Sequence, residues 1–114
     1  MPKGLFLDDE RNPQDVTWVQ YPENIEWTVV RSFSEFVKVV RTDVFELLSF
    51  DHDLQDFSKG SEMTGYDCLK FYCDFIGFHG LKPEYHPVIL VHSMNPIGKV
   101  NILSYWKNYL ESLK

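Results

Sequence analysis

The chain has 114 residues, which suits one domain with one hydrophobic core. Apolar residues make up 44% of it, which excludes a disordered chain, and no apolar run reaches the ~20 residues that a membrane-spanning helix needs. The formal charge of −6 argues against binding along a duplex nucleic acid, but it is compatible with a small nucleotide or a strand end. We therefore expect one cytoplasmic domain over residues 1–114, with no membrane partner and no long duplex partner.

Four short apolar runs predict β-strands: Gly4–Leu7, Trp27–Val30, Glu46–Phe50 and Val88–Val91. Their near-continuous apolarity is typical of strands that are buried on both faces of a parallel sheet. The segment after the first strand contains two prolines and has weak periodicity, which predicts a long loop with one helical turn. A second loop, Gln55–Thr64, is polar and contains glycine, and we interpret it as a mobile lid.

A helix is predicted after each of the second, third and fourth strands, because apolar residues recur there three or four positions apart. The three sets are Phe33, Phe36, Val37 and Val40; Tyr66, Leu69, Cys73 and Ile76; and Leu103, Trp106, Leu110 and Leu113. Glu35 follows Ser32 by three residues, as in a capping box, although Ser34 is also placed to cap the first helix. Asn95 and Pro96 are a typical cap and first-turn pair for the last helix.

Strands that alternate with helices indicate an α/β fold whose parallel strands are joined by right-handed crossovers. In such sheets, ligands bind beyond the carboxyl ends of the strands. Three of the four predicted strands are followed by dense polar sequence: DDER from Asp8, DHD from Asp51 and HSMN from His92. We therefore expect these three clusters to face one crevice, which is the candidate active site.

The acidic residues of this crevice are Asp8, Asp9, Asp51 and Asp53. They cannot all be ionised side by side without compensation, because close like charges raise each other's pKa. A divalent cation such as Mg²⁺ would relieve the repulsion, since it prefers carboxylate oxygens. The alternative is that two of the four cap turns or helix starts and point away from the crevice.

Two histidines, His52 and His92, lie directly beyond buried strands in acidic or polar sequence. Two histidines across a phosphodiester can divide the work, since one takes a proton from water and the other gives a proton to the departing alkoxide. We predict that this pair supplies the general acid and the general base, without assigning either role. His79 and His86 lie in loop sequence and are interpreted as structural residues.

A phosphate ligand also needs positive charge and hydrogen-bond donors. Arg11 follows the first acidic cluster and Lys99 lies in the first turns of the last helix, and we predict that both bind phosphate. The start of that helix offers free backbone N–H groups, to which Ser93 and Asn95 can add side-chain hydrogen bonds. Arg31, which closes the second strand, is interpreted as a solvated surface charge.

Four segments together resemble the cyclic-phosphate processing receiver domain family, a branch of the receiver fold known from two-component signalling: LFLDDERNP, SFDHDL, GYDCLKF and PVILVHSMNPIGKVNI. The resemblance covers nearly the whole chain, and FDHDL and HSMNPxGxxNI are specific as a pair. It implies a small receiver-like, three-layer α/β/α sandwich with four mainly parallel strands in the order 2-1-3-4. Two features depart from an ordinary receiver. The fifth strand with its phosphoryl-gripping lysine is missing, and a loop replaces the first crossover helix.

The resemblance also implies roles for individual residues. Asp8 and Asp9 match the receiver acidic pair that holds Mg²⁺. Asp51 or Asp53 lies where receivers carry the phospho-acceptor aspartate, and Ser93 matches the hydroxyl residue that contacts the phosphoryl group. The residues that this branch adds are His52, His92 and Asn95.

We therefore predict a phosphoesterase that hydrolyses cyclic phosphates, either 2′,3′-cyclic ends of RNA or cyclic nucleotides. Asp51 and Asp53 join the two histidines as catalytic residues, and Asp8, Asp9 and Asp51 are the predicted ligands of Mg²⁺ or another divalent cation. The alternative is a non-enzymatic module that binds or sequesters a phosphorylated or cyclic-nucleotide ligand or a protein partner, as the small size and the missing lysine indicate. A receiver that is phosphorylated on Asp51 or Asp53 is a third interpretation.

Overall fold

The computed structural model describes residues 1–114. Its strands are β1 (Lys3–Leu7), β2 (Glu26–Val30), β3 (Leu47–Phe50) and β4 (Val88–Val91), and its helices are α1 (Phe33–Val40), α2 (Gly65–Phe78) and α3 (Pro96–Ser112). All strand pairings are parallel, and the strand order is 2-1-3-4. The predicted fold class is thus confirmed, and the bounds of each predicted strand agree with the structure to within one residue.

One face of the sheet is covered by the three helices, with α2 in contact with both α1 and α3. The side chains that point to this face lie in register, so that Leu5 is beside Leu48 and Leu48 is beside Ile89. Together with Leu7 and Phe50 they join helix residues in the main hydrophobic core. Apolar burial of this kind, at roughly 25 cal/mol per Å², is the main favourable term in folding. None of the helices is both long and apolar enough to cross a membrane.

The opposite face of the sheet is covered by the β1–β2 connection and not by helices. The chain moves one way along the sheet from β1 to β2 and the other way from β2 to β3, so right-handed crossovers put these two connections on opposite faces. The connection contains one 3₁₀ turn, Pro13–Asp15, in agreement with the predicted helical turn. It also places the Tyr21 ring against those of Phe6 and Trp27. The third layer of the sandwich is therefore mostly loop.

The predicted capping box of α1 is only half formed. The Ser32 hydroxyl accepts the N–H of Glu35, as expected. The Glu35 carboxylate, however, accepts the N–H of Arg31 and not that of Ser32. The Glu35 side chain therefore bonds the residue before Ser32, which is Arg31, the residue that directly follows β2.

Helix α2 begins directly against the segment that follows β3. The N–H of Gly65 donates to the carbonyl oxygen of His52 at 2.8 Å. A Cβ at Gly65 would lie 1.8 Å from the backbone oxygen of Asp51, so this close approach requires glycine. Thr64 and Asp67 complete the helix start with a reciprocal capping box. The polar segment after β3 is therefore fixed by the first turn of α2.

Gly65→Ala is expected to lower the free energy of unfolding by about 1–3 kcal/mol or more, because the new methyl group meets backbone atoms. Gly77→Ala is the matched control in the same helix, since the nearest atom to a Cβ there is the Tyr109 hydroxyl at 3.4 Å. The control should be neutral or gain about 0.5–1 kcal/mol, as is usual for glycine to alanine inside a helix. Urea denaturation measures the free energy of unfolding of both variants. Equal stability of the two would contradict the close approach of Gly65 to the Asp51 backbone.

Candidate active site

A polar cleft of about 660 Å³ opens at the carboxyl edge of the sheet. The segments that follow β1, β3 and β4 meet in it. The lining residues are Asp8, Asp9, Glu10, Arg11, Asp51, Asp53, Gln55, Ser93, Met94, Asn95 and Pro96. The cleft therefore brings together seven of the ten residues predicted for the site, and three predicted residues, His52, His92 and Lys99, are not part of its lining.

Three carboxylates converge in this cleft. Asp8, Asp9 and Asp51 each place one oxygen within 4.8 Å of the others. Burial raises the pKa of Asp51, and the neighbouring charge of Asp8 raises it further. Burial likewise raises the pKa of Asp9, with added repulsion from Asp8 and Glu10. The hydrogen bonds around the three carboxylates therefore do not compensate all of their negative charge.

Asp8 differs from the other two carboxylates because both of its oxygens are held by donors. Oδ1 accepts the backbone N–H groups of Glu10 and Arg11, each at 2.8 Å. Oδ2 lies 3.0 Å from Nε2 of His92 and 3.5 Å from the Arg11 guanidinium. Burial by itself would raise the pKa of Asp8, but the bonds from His92 and the two backbone donors lower it to about 2. Asp8 is therefore ionised at neutral pH.

His92 lies beneath the cleft. Its side chain is 0% exposed, and its ring stacks on Phe6 with the ring centroids 4.3 Å apart. Nε2 faces Asp8, while Nδ1 lies 2.8 Å from the Ser49 hydroxyl, which is 2.6 Å from the Tyr21 hydroxyl. A hydrogen-bonded chain thus runs from the β1–β2 connection through the sheet to the acidic cluster. Both ring nitrogens of His92 are engaged inside the protein.

His52 and Asp53 form a pair at the edge of the cleft. Nδ1 of His52 lies 2.9 Å from Oδ1 of Asp53, and Oδ2 of Asp53 accepts the side-chain amide of Asn95 at 3.2 Å. The bond with His52 is the main cause that lowers the pKa of Asp53. The His52 side chain is 18% exposed, and its ring lies so close to Gly98 that a Cβ there would come within 2.4 Å of Cγ. Nε2 of His52 makes no hydrogen bond within the protein, and the side chain is partly exposed although it is not part of the lining of the cleft.

Ser93 and Asn95 build the wall at the start of α3. The Ser93 hydroxyl accepts the N–H of Asn95 at 3.0 Å and also lowers the pKa of Asp51. Oδ1 of Asn95 accepts the N–H of Gly98 at 3.0 Å and so caps the helix. Lys99 lies further along α3 with its side chain exposed and away from the lining.

Arg31 is not the solvated surface charge that the sequence indicates. Its guanidinium donates to the carbonyl oxygens of Asp8 and Arg11 and to the side chain of Asn12. It thereby clamps the turn that carries the first acidic cluster. The sequence does contain the signal for this role, because Arg31 follows β2 and β2 is the parallel neighbour of β1. Residues that follow the two strands lie at the same edge of the sheet.

The loop predicted as a lid contributes only Gln55 to the lining of the cleft. Its Asp56 carboxylate accepts the N–H of Phe33 at 3.0 Å, which ties the loop to the start of α1. Asp56 also pairs with Met63 through the backbone, so that the loop folds back on itself.

The carboxylate oxygens of Asp8, Asp9 and Asp51 suit a hard divalent cation as ligands. Asp9 and Asp51 both have raised pKa values. The Asp51 carboxylate accepts one backbone N–H, that of His52, at 2.9 Å. Asp8 can contribute Oδ2, which has a second lone pair beside the one that accepts the hydrogen bond from His92 at 3.0 Å, because its contact with Arg11 is long at 3.5 Å. Carboxylate oxygens gathered in this way are the ligands that Mg²⁺ prefers.

The sequence model of one protein family, described as the cyclic-phosphate processing receiver domain, matches residues 3–108. No curated protein and no solved structure gives a significant match. The matched range contains every residue that lines the cleft, together with His52 and His92.

Asp51→Asn is expected to raise the stability of the metal-free protein at neutral pH. The pKa of Asp51 is raised in the folded chain, so its ionised form opposes folding, and the amide removes that penalty. The penalty exists only where the carboxyl is ionised. The gain in the free energy of unfolding should therefore shrink as the pH falls from about 7 to about 3. Urea denaturation in the presence of a chelator measures it.

Asp8→Asn is the matched comparison and should have the opposite sign. Because the pKa of Asp8 is lowered to about 2, its charge stabilises the fold at neutral pH. This contribution, about 2 kcal/mol, is lost as the pH falls from about 5 towards 2. An Asp51→Asn variant that is less stable than the wild type, or an Asp8→Asn variant that is equally stable, would contradict these electrostatics.

Proposed function

This chain belongs to the cyclic-phosphate processing receiver domain family, and we propose that it hydrolyses a cyclic phosphate in the cleft at the carboxyl edge of its sheet. The observation that carries the proposal is the juxtaposition of two features. One is the Asp53–His52 pair with a free imidazole nitrogen, and the other is the cluster of three carboxylates. A group for proton transfer and a group for phosphoryl binding therefore lie at the same edge of the sheet.

The phosphoryl group of the substrate would lie between Arg11 and the start of α3. Arg11 and Ser93 both line the cleft and supply a cation and a hydroxyl group. The first turn of α3 adds the positive end of the helix dipole, which favours an anion. Lys99 lies outside the lining and would act only through its charge at longer range.

The acidic cluster would hold Mg²⁺ or another divalent cation through Asp8, Asp9 and Asp51. Such a cation, when bound, supplies positive charge to the phosphoryl oxygens. The protein prepares the ligands by orienting them, since His92 holds Asp8 and the N–H of His52 holds Asp51.

His52 is the proton-transfer group in this proposal. Because Asp53 is ionised and accepts Nδ1–H, the neutral imidazole carries its lone pair on Nε2. Nε2 takes a proton from water while the water oxygen forms a bond to phosphorus. The bond from phosphorus to one ester oxygen of the ring breaks, and that oxygen takes a proton from solvent in the open cleft. The product is a linear phosphomonoester.

His92 enters the proposal as a positioning residue and not as the second proton-transfer group that the sequence predicts. A ligand in the cleft cannot reach a side chain that is 0% exposed and engaged at both nitrogens. Its part is to fix the orientation of the Asp8 carboxylate.

A second function, binding without turnover, is favoured by the same burial of His92. Only one histidine is available to a ligand, so the division of acid and base between two histidines is absent. A module of this kind would bind or sequester a cyclic nucleotide or a phosphorylated ligand and release it unchanged.

His52→Ala is expected to lower the turnover of a cyclic phosphate by about 10²–10⁴, the usual effect of losing a proton-transfer group. The wild type and variant are incubated with 2′,3′- and 3′,5′-cyclic nucleotides, with and without Mg²⁺, and phosphorus NMR identifies the products. His79→Ala, which changes an exposed histidine at the end of α2, is the matched control and should keep full turnover.

Full turnover by His52→Ala would remove His52 from the mechanism. Saturable binding with recovery of unchanged ligand across the whole panel would favour the sequestering module over the enzyme.

Mg²⁺ is expected to raise the melting temperature of the wild type, because a ligand of the folded state stabilises it by about 2.7 kcal/mol at a concentration 100 times its Kd. Asp9→Asn should abolish most of this rise, since it removes one carboxylate of the cluster. Asp74→Asn, on the exposed face of α2, is the control. The same rise in all three proteins would exclude metal binding at this cluster.

A further inference from the structure

Trp18 is an exposed indole that is held in a fixed place. Its side chain is 44% exposed, which is unusual for the largest apolar residue type. Its Nε1–H donates to the carbonyl oxygen of His92 at 2.8 Å, so the single polar group of the indole is satisfied inside the protein. This bond ties the β1–β2 connection to the residue directly before Ser93, which lines the cleft.

Arg11 connects the indole with the cleft. The Arg11 side chain lines the cleft, and its guanidinium carbon lies 5.2 Å from the centroid of the Trp18 ring. The cation–π contact orients the guanidinium beside an aromatic surface. Met94, which is 66% exposed, adds apolar surface to the same cleft. A flat aromatic group and apolar contacts are therefore present next to a site that is otherwise strongly polar.

We propose that the Arg11–Trp18 pair binds the base of a nucleoside cyclic phosphate whose phosphoryl group lies in the cleft. This inference rests on the proposed function and extends it by assigning a binding site for the base. Nucleobases stack on indole rings and on guanidinium planes, and this stacking tolerates different bases. A cyclic phosphate without a base lacks the aromatic ring that stacks on an exposed indole. The pair thus selects nucleotides over other cyclic phosphates.

The test compares adenosine 2′,3′-cyclic phosphate with the 2,3-cyclic phosphate of methyl riboside, which lacks the base. For the wild type, KM should be about 5- to 150-fold lower for the nucleotide, the range expected for one stacked base. Trp18→Ala should remove this preference. Trp18→Phe, which keeps an aromatic face but loses the N–H to His92, should retain most of it. An oligoribonucleotide with a 2′,3′-cyclic end forms a further arm that distinguishes an RNA end from a free nucleotide.

Equal KM values for the two compounds with the wild type would overturn the inference and leave the proposed hydrolysis intact. A Trp18→Phe variant that loses the preference as completely as Trp18→Ala would also overturn it, because the indole would then only anchor the connection. If neither compound is turned over, the proposed function fails, and the ratio of their dissociation constants still decides the stacking. If Trp18→Ala does not fold, the ratio of the two KM values is compared between the wild type and Trp18→Phe instead.

Discussion

The hydrogen bond between Nε2 of His92 and the Asp8 carboxylate is the contact on which the site depends. It joins the ends of β1 and β4 across the intervening β3. An ionised carboxylate that is 1% exposed is costly unless donors surround it, and Asp8 obtains them from His92 and two backbone N–H groups. The same bond orders the sheet interior, because Nδ1 of His92 must then be satisfied by Ser49. Loss of either partner would leave a buried polar group without its bond, which costs about 1–3 kcal/mol.

This interaction gives the two histidines different surroundings. His92 donates a hydrogen bond to Asp8 from below and so favours its ionised form, whereas His52 lies at the edge of the cleft with one nitrogen that makes no hydrogen bond within the protein. The Asp53–His52 pair is oriented in turn by Asn95 and supported by the Gly98 backbone. The start of α3 therefore serves two purposes, since it offers its dipole to an anion and holds the imidazole in place.

Much of this arrangement could be predicted from the sequence, because it follows from the parallel sheet. Short apolar runs and helical periodicity predict the strands and helices, and the carboxyl-edge rule places Asp8, Asp51 and Ser93 in one cleft. The burial of His92 could not be read from its position after a strand, since that position does not say whether the ring turns towards the cleft or towards the back of the sheet. One indication was present: Ser49 is a lone polar residue in the strand LLSF, and a buried hydroxyl needs a partner. The clamp made by Arg31 and the anchoring of Trp18 depend on the path of the β1–β2 connection, which has no periodicity to fix it.

We infer that His52 takes the proton from the attacking water while His92 acts only through Asp8. Chemical rescue tests this claim most directly, because a small base in solution can replace an imidazole that borders the cleft but not one sealed beneath it. Imidazole added to His52→Ala should restore a measurable part of the turnover, and imidazole added to His92→Ala should restore none. Rescue of the His92 variant without rescue of the His52 variant would contradict the claim and assign the proton transfer to His92.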